Sequence, residues 1–326
     1  MFFARFFRRL KPVGSHRRLL KLMELKQSFS ILIIILFVVF EIALFGFIAQ
    51  RFMGDEALID APFEKNIAVI NIDEEITSAY IERIIERLEV VRENPDKFAH
   101  LLVVMNSGGG SPTASDELRH YLDEMQMQGI PLTVYIESMC ASGAYYIATA
   151  SRFDANDSLS GIIANQNALV GSIGVIISYP IVEEAAKKLG VVQKSITVGK
   201  HKEPISMFKN PTQEDIDYLK NHWMIPVYEN FLGEVARGRG VDVEALKPYA
   251  DGKVYVANQI VGPLVDRISY LHRVKQELLV RYEEQFPQAS LGLATISTKE
   301  EPRSLLQSVI DVTLHAPSLD NSVKMY

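Results

Sequence analysis

Cysteine is the scarcest reactive residue in this 326-residue chain. Its single copy, Cys140, excludes a disulfide within one chain and any cysteine-based metal cluster. Residues around it are small and apolar, so Cys140 reads as a buried small hydrophobe rather than a nucleophile. Positive charge is also in deficit, and a net charge of −6 gives no basis for a general nucleic-acid surface. Both common phosphate-binding patterns are missing. No lysine follows the triple glycine Gly108–Gly110 as a P-loop requires, and Ser-Pro after it breaks the GxGxxG spacing. Neither an internal repeat nor a grouping of His, Cys and Asp with metal-ligand spacing is found, so the sequence calls for no metal or cofactor.

What the chain does have is one long apolar run, FSILIIILFVVFEIALFGFIA, residues 29–49. Its 21 residues, at about 1.5 Å each, match a hydrocarbon core of about 30 Å. The run is too long for a cleavable signal peptide and lacks a good small-x-small site, so it is read as an uncleaved transmembrane anchor. Only Glu41 interrupts it, at a cost of about 3 kcal/mol at mid-membrane. Residues 1–28 carry eight Lys and Arg against Glu24, whereas 51–65 carry Arg51 and Lys65 against four acids. Positive charge stays inside, which predicts a cytoplasmic N-terminus and a main domain outside the cytoplasm, periplasmic in a Gram-negative cell. The basic segment is explained by membrane lipid rather than nucleic acid.

After a polar linker, 50–65, the pattern alternates. IAVINI (67–72) reads as a buried strand, followed by a helix with Ile81, Ile84, Ile85 and Leu88 on one face. HLLVVM (100–105) is a second strand, and a helix carrying Leu118, Tyr121, Leu122 and Met125 ends at Gly129. PLTVYIE (131–137) is a third strand. This succession predicts an α/β domain over 66–285 with a largely parallel sheet. Residues 154–167 read as a turn-rich insertion, 171–177 and 191–199 as further strands, and 286–326 as a poorly packed tail. A helix is predicted from Asn210-Pro211, with Asn as cap, kinking at Pro226 and stopping near Gly238 and Gly240.

Three places can carry chemistry. NSGGGSP (106–112) follows a strand, and its exposed amides can hold an anion or the oxyanion of an acyl-transfer intermediate. Ser142, in MCASGAYYIATA (139–150), sits where a helix should begin, with no Glu or Gln to close a capping box. None of the seven histidines stands in a motif that would activate it; His201 alone lies in a glycine-led loop. VGKHKEPISMF (198–208) offers lysines, and a lysine acts as general base once burial lowers its pKa from about 10.4. Taken singly, these are a βα turn, a helix cap and solvated charges.

Taken in order they form a pattern. Glycine loop, Ser-Gly helix, VGSIGV and GKHK, followed by ADGKVYVANQIVGPLVD (250–266), resemble the serine–lysine peptidases of the signal peptide peptidase A and SohB family over residues 66–270. Glycine at Gly108, where the family more often has proline, is similar to the SohB branch. The resemblance implies a ClpP/crotonase-like fold of stacked βαβ units, preceded here by one transmembrane helix. It implies Ser142 as nucleophile, Lys202 as general base, Ser172 as the serine that positions the lysine, and Gly109, Gly110 and Gly143 as oxyanion-hole residues. It also implies a serine endopeptidase acting on hydrophobic peptides such as residual signal peptides or membrane-protein fragments. Short relatives form a membrane-seated ring in which serine and lysine meet across subunits, so a homo-oligomer is expected. Two other classes stay open: an idle membrane scaffold of peptidase fold, and an acyl-CoA-handling crotonase-like enzyme. Lys200, at the variable position of GxxK, is not the expected base.

Overall fold

The computed structural model describes residues 39–40, 44 and 61–298. The chain divides into a unit spanning 1–58 and another spanning 59–326. In the first, Val39, Phe40 and Leu44 are helical. The remainder of the expected anchor and the basic segment 1–28 lie outside the described residues, as do 50–60 of the linker and 299–326 of the tail. Among the described residues, no helix is long and apolar enough to cross a membrane.

The second unit is built on a mixed sheet. Strands β1 (Lys65–Ile72), β2 (Phe98–Ser107) and β3 (Leu132–Ala141) lie side by side and parallel. Their side chains alternate between two cores, as the strand period of two requires. Ala68, Ile70 and Ile72 pack on one face, while Ile67 and Val69 pack on the other. The first face is covered by α1 (Ser78–Glu93) and α2 (Pro112–Met127), through Ile84, Leu88, Leu118 and Leu122. Both helices start at side-chain caps: Thr77 accepts from the Tyr80 amide at 3.2 Å, and Ser111 from the Ala114 amide at 3.3 Å. Pro112 at the start of α2 has no N–H to leave unsatisfied.

β3 then forks. Its first half pairs with β4 (Ile162–Ala164), and its end, Met139–Ala141, pairs with β5 (Leu169–Gly171). A short antiparallel strand, β6 (Val254–Val256), closes that side against β5. The two-residue β7 (Arg267–Ile268) runs parallel to β4, and α7 (Leu271–Gln285) covers the second face with Val274, Leu278 and Tyr282.

Several sequence expectations change here. Strand β8 (Leu291–Ile296) pairs in parallel with β1, so the packed domain runs beyond 285 into the segment expected to be a tail. Residues 154–161 are turns, but 162–164 form β4 inside the sheet. Only Leu169–Gly171 is a strand where 171–177 was expected to be one, and 191–199 has no strand partner among the described residues. Between those two segments lies a short helix, α4 (Glu183–Lys188). Helix α5 (Gln213–Leu219) is capped by Thr212, not Asn210. Thr212 and Asp215 form a reciprocal capping box that outcompetes the Asn-Pro start. A π-turn, Lys220–Met224, joins α5 to α6 (Ile225–Arg239), so the helix is disturbed just before Pro226 and continues past it. Gly240 ends it with φ 64°, the left-handed conformation that favours glycine.

Candidate active site

Parallel pairing brings the ends of β2 and β3 together, with Ser107 opposite Cys140. Residues after the carboxyl ends of such strands line the crevice where ligands bind in open α/β sheets. Here those residues are the glycine loop and Ser142. Cys140 itself is fully buried, and burial pushes its thiol well above the ordinary range, which leaves it inert.

Ser142 occupies the position before the short helix α3 (Gly143–Ala148), yet its side chain makes no capping bond. Its backbone lies at φ 53° and ψ −125°. Among the described residues, Ser142 and Ser172 are the two non-glycine positions with positive φ. Such a conformation costs on the order of 1–3 kcal/mol for a residue with a Cβ, and is held only where surroundings impose it. At Ser142 the imposing contacts are its amide, which donates to the Gly171 carbonyl at 2.9 Å, and its carbonyl, which accepts from the Tyr146 amide at 3.0 Å. The capping role expected of Ser142 taken alone is therefore unfilled, and its hydroxyl is left free of the helix.

The glycine loop packs directly on this turn. A Cβ on Gly109 would lie 2.6 Å from the Ala141 carbonyl oxygen, 2.7 Å from the Gly143 nitrogen and 2.9 Å from Ser142 Cβ. Gly109 also has φ 95°, so both shape and conformation demand glycine. Its amide donates to Ser107 Oγ at 3.2 Å. Among the described residues, the amides of Gly110 and Gly143 have no such acceptor. They are neighbours: a Cβ on Gly143 would sit 3.3 Å from the Gly110 nitrogen, and 2.2 Å from Ser115 Oγ. Two amides without an acceptor among the described residues thus lie close together beside Ser142, while the Gly109 amide is occupied.

Two cavities open at Ser142. One, of about 550 Å³, is bounded by Gly110, Gly143, Tyr146, Val175 and Phe231. Tyr146 stands edge-on to Phe231 at 5.3 Å, and its hydroxyl donates to Asp116 at 2.5 Å. Burial and that carboxylate both raise its pKa, which keeps the phenol neutral. The other cavity is bounded by Ser142, Ser172, Ile173, Lys220, Met224 and Tyr228. Ser172 is fixed by its amide donating to the Lys253 carbonyl at 2.6 Å. The structure therefore brings Ser142, Ser172, Gly109, Gly110 and Gly143 together. It does not bring Lys202 to them, since Lys202 is exposed and lines neither cavity.

Lys220, Tyr146 and Phe231 are lining residues that sequence reasoning missed. Nothing in the pattern of α6 distinguishes its cavity face from its core face, and the π-turn carrying Lys220 has no sequence signature of its own.

The wall formed by α6 is held in place by close contacts. A Cβ on Gly238 would meet the Thr149 carbonyl oxygen at 2.2 Å, so glycine is what lets α6 approach the end of α3. At the end of α6, Arg239 donates to both carboxylate oxygens of Asp266 at 2.7 Å. Burial alone would lower the Arg239 pKa, but its bonds to Asp266, together with the charges of Tyr145 and Asp266, leave it raised. Asp266 also accepts from the Ile162 amide at 2.7 Å, which ties the 250–266 segment to β4.

Comparison with known proteins adds lineage to this geometry. Residues 124–282 match the model of peptidase family S49. A protein assigned as the signal peptide peptidase SppA of Enterococcus faecium is 33% identical over 171 residues, which is 52% of this chain and 47% of that one. A protein of Synechocystis assigned as a protease is 31% identical over 205 residues, 63% of this chain and 70% of that one. Against the first of these the chain spans about half the relative's length. Among solved structures, a membrane-bound stomatin-specific protease is similar with a TM-score of 0.43 and 12% identity, covering 65% of this chain and 84% of that one.

Proposed function

The chain belongs to peptidase family S49, and on that premise we propose that it is a membrane-anchored serine peptidase whose Ser142 and Lys202 cleave peptides as a dyad. The observation that carries this reading is the backbone of Ser142. A strained φ of 53°, no capping bond and two free glycine amides alongside are what a nucleophile needs and a helix cap does not.

In the proposed cycle, neutral Lys202 takes the Ser142 proton and Ser142 Oγ attacks the substrate carbonyl. Gly110 and Gly143 donate to the oxyanion. Protonated Lys202 returns its proton to the leaving amine as the C–N bond breaks. Water then attacks the acyl-enzyme by the same route, releasing the acid and restoring Ser142. Ser172, which shares a cavity with Ser142, positions the lysine. Gly109 serves by shape, allowing the loop to close on Ser142.

Lys202 reaches a serine by coming from another copy. It sits in a segment, 176–209, whose Leu189, Ile196 and Val198 are largely exposed, with Ile196 fully so. Apolar side chains left uncovered in one copy are covered when copies assemble, which supports a homo-oligomeric ring. The anchor over 29–49 seats that ring in the membrane with the peptidase domain outside the cytoplasm, where hydrophobic peptides and spent signal peptides are the substrates.

The test is hydrolysis of a fluorogenic peptide with small or hydrophobic residues before the cut, using detergent-extracted wild type beside Ser142→Ala and Lys202→Ala. Loss of at least about a thousandfold in each variant is expected for removal of a nucleophile or base. Equal activity in all three would overturn the reading.

A further inference from the structure

The lysine loop of this chain is gripped by its two variable residues. Gly199, at φ 101°, and the Lys202 amide, which donates to the Gly199 carbonyl at 3.3 Å, define a tight turn with Lys200 and His201 at its centre. Both central residues hold α5. Lys200 pairs with Glu214, and the His201 ring lies flat on Tyr218, with centroids 4.2 Å apart and planes 4° from parallel. Glu214 and Tyr218 are four residues apart, one above the other on the same helix face. The Tyr218 ring is braced in turn by His222 at 5.1 Å and, edge-on, by Trp223 at 6.3 Å, both in the π-turn. π-turns of this kind are frequent at functional sites. Met224 at the end of that turn and Tyr228 in α6 line the cavity shared by Ser142 and Ser172.

The chemistry of the His201 ring narrows its role. Among the described residues its buried Nδ1 has no hydrogen-bond partner, so the ring is not tied to α5 through that atom. What the ring offers is its face. The Lys200–Glu214 pair is largely exposed on both sides, and an exposed pair holds geometry weakly. The stack is therefore the main fastening between the turn and the helix.

We infer that His201 is a positioning residue for the peptidase reaction: by stacking on Tyr218 it fixes the Gly199–Lys202 turn to α5 and so sets where Lys202 is presented. The inference rests on the Ser142–Lys202 reading. It extends that reading by making an aromatic face, and not an imidazole base, the requirement at position 201.

The experiment uses the full chain in detergent and reads kcat and KM for peptide hydrolysis, together with the rate at which a fluorophosphonate labels Ser142. His201→Ala should lower kcat and the labelling rate by about 10–100-fold, the scale of a lysine misplaced by about 1 Å, with KM little changed. His201→Phe, which keeps the face and removes the nitrogens, should restore both rates to near wild type. Tyr218→Ala should reproduce His201→Ala, and the double variant should be no slower than either, because the two act through one contact. Wild-type rates in His201→Ala would overturn the inference, as would a Phe variant as slow as the Ala variant. If wild type itself neither hydrolyses nor labels, the serine–lysine reading falls and this inference with it.

Discussion

Ser142 and Ser172 share a φ of 53° and line the same cavity, and each is pinned through its backbone amide to a carbonyl of another strand or turn. Two β-carbon-bearing residues held in the left-handed region at one site make a reservoir of strain that packing must sustain. Replacing Ser142 by glycine should release it. Ser142→Gly should be more stable than Ser142→Ala by about 1 kcal/mol in denaturant unfolding, while both are inactive. Equal stability of the two would show that the turn carries no strain.

The glycine loop yields a second prediction. Gly109→Ala places a Cβ against the Ala141 carbonyl and the Gly143 amide in a conformation unsuited to alanine, and must push the loop off Ser142. Peptide hydrolysis should fall by about 100-fold or more, as when an oxyanion donor is lost. Gly129→Ala, at φ 91° but with open space around it, should leave kcat unchanged and register only in stability.

The Arg239–Asp266 pair, both side chains almost fully buried, tests what holds the cavity wall. Removing one partner leaves a buried charge without compensation, and Arg239→Ala should cost about 3–5 kcal/mol. Arg152 also pairs with an aspartate, Asp123, but its side chain is 59% exposed, and Arg152→Ala should cost less than about 1 kcal/mol. Chemical denaturation of the two variants separates the cases.

His100 gives a pH dependence of defined sign. It is buried on β2 between Tyr282 and Thr133, at 3.0 and 2.9 Å, and burial, assisted by nearby Arg281, lowers its pKa to about 3. The unfolded chain takes up a proton near pH 6.5 and the folded one does not until about pH 3. Stability is therefore complete above about pH 6.5 and falls by up to about 1.4 kcal/mol per pH unit below it. Unfolding at pH 7 and pH 5 should show a steeper loss for wild type than for His100→Gln. Equal slopes would mean that His100 titrates normally in the fold.

The central α/β pattern was legible because β1, β2 and β3 are unbroken apolar runs and α1 and α2 show a clean helical stripe. The ending at Gly240 was legible for a related reason, since glycine alone enters the left-handed region without penalty. β8 was hidden: LGLATI is short, follows Pro and Ser, and becomes a strand only because the edge of β1 is free to pair. The opposite happened at 191–199, where β-branched residues suggested a strand but no neighbour among the described residues offers a ladder. At the candidate site, residue types and their order could be read, and their separation could not. The conformation of Ser142, the occupied Gly109 amide and the placement of Lys202 outside the serine cavities all depend on the tertiary contacts around them.

The measurement that tests the account most directly is complementation between Ser142→Ala and Lys202→Ala. Each is to be purified inactive, mixed one to one in detergent under conditions where labelled subunits are seen to exchange, and assayed on the same fluorogenic peptide. If serine and lysine come from different copies, random mixing rebuilds roughly a quarter of the sites and activity returns in that proportion. Subunits that exchange without any return of activity would contradict a dyad shared between copies.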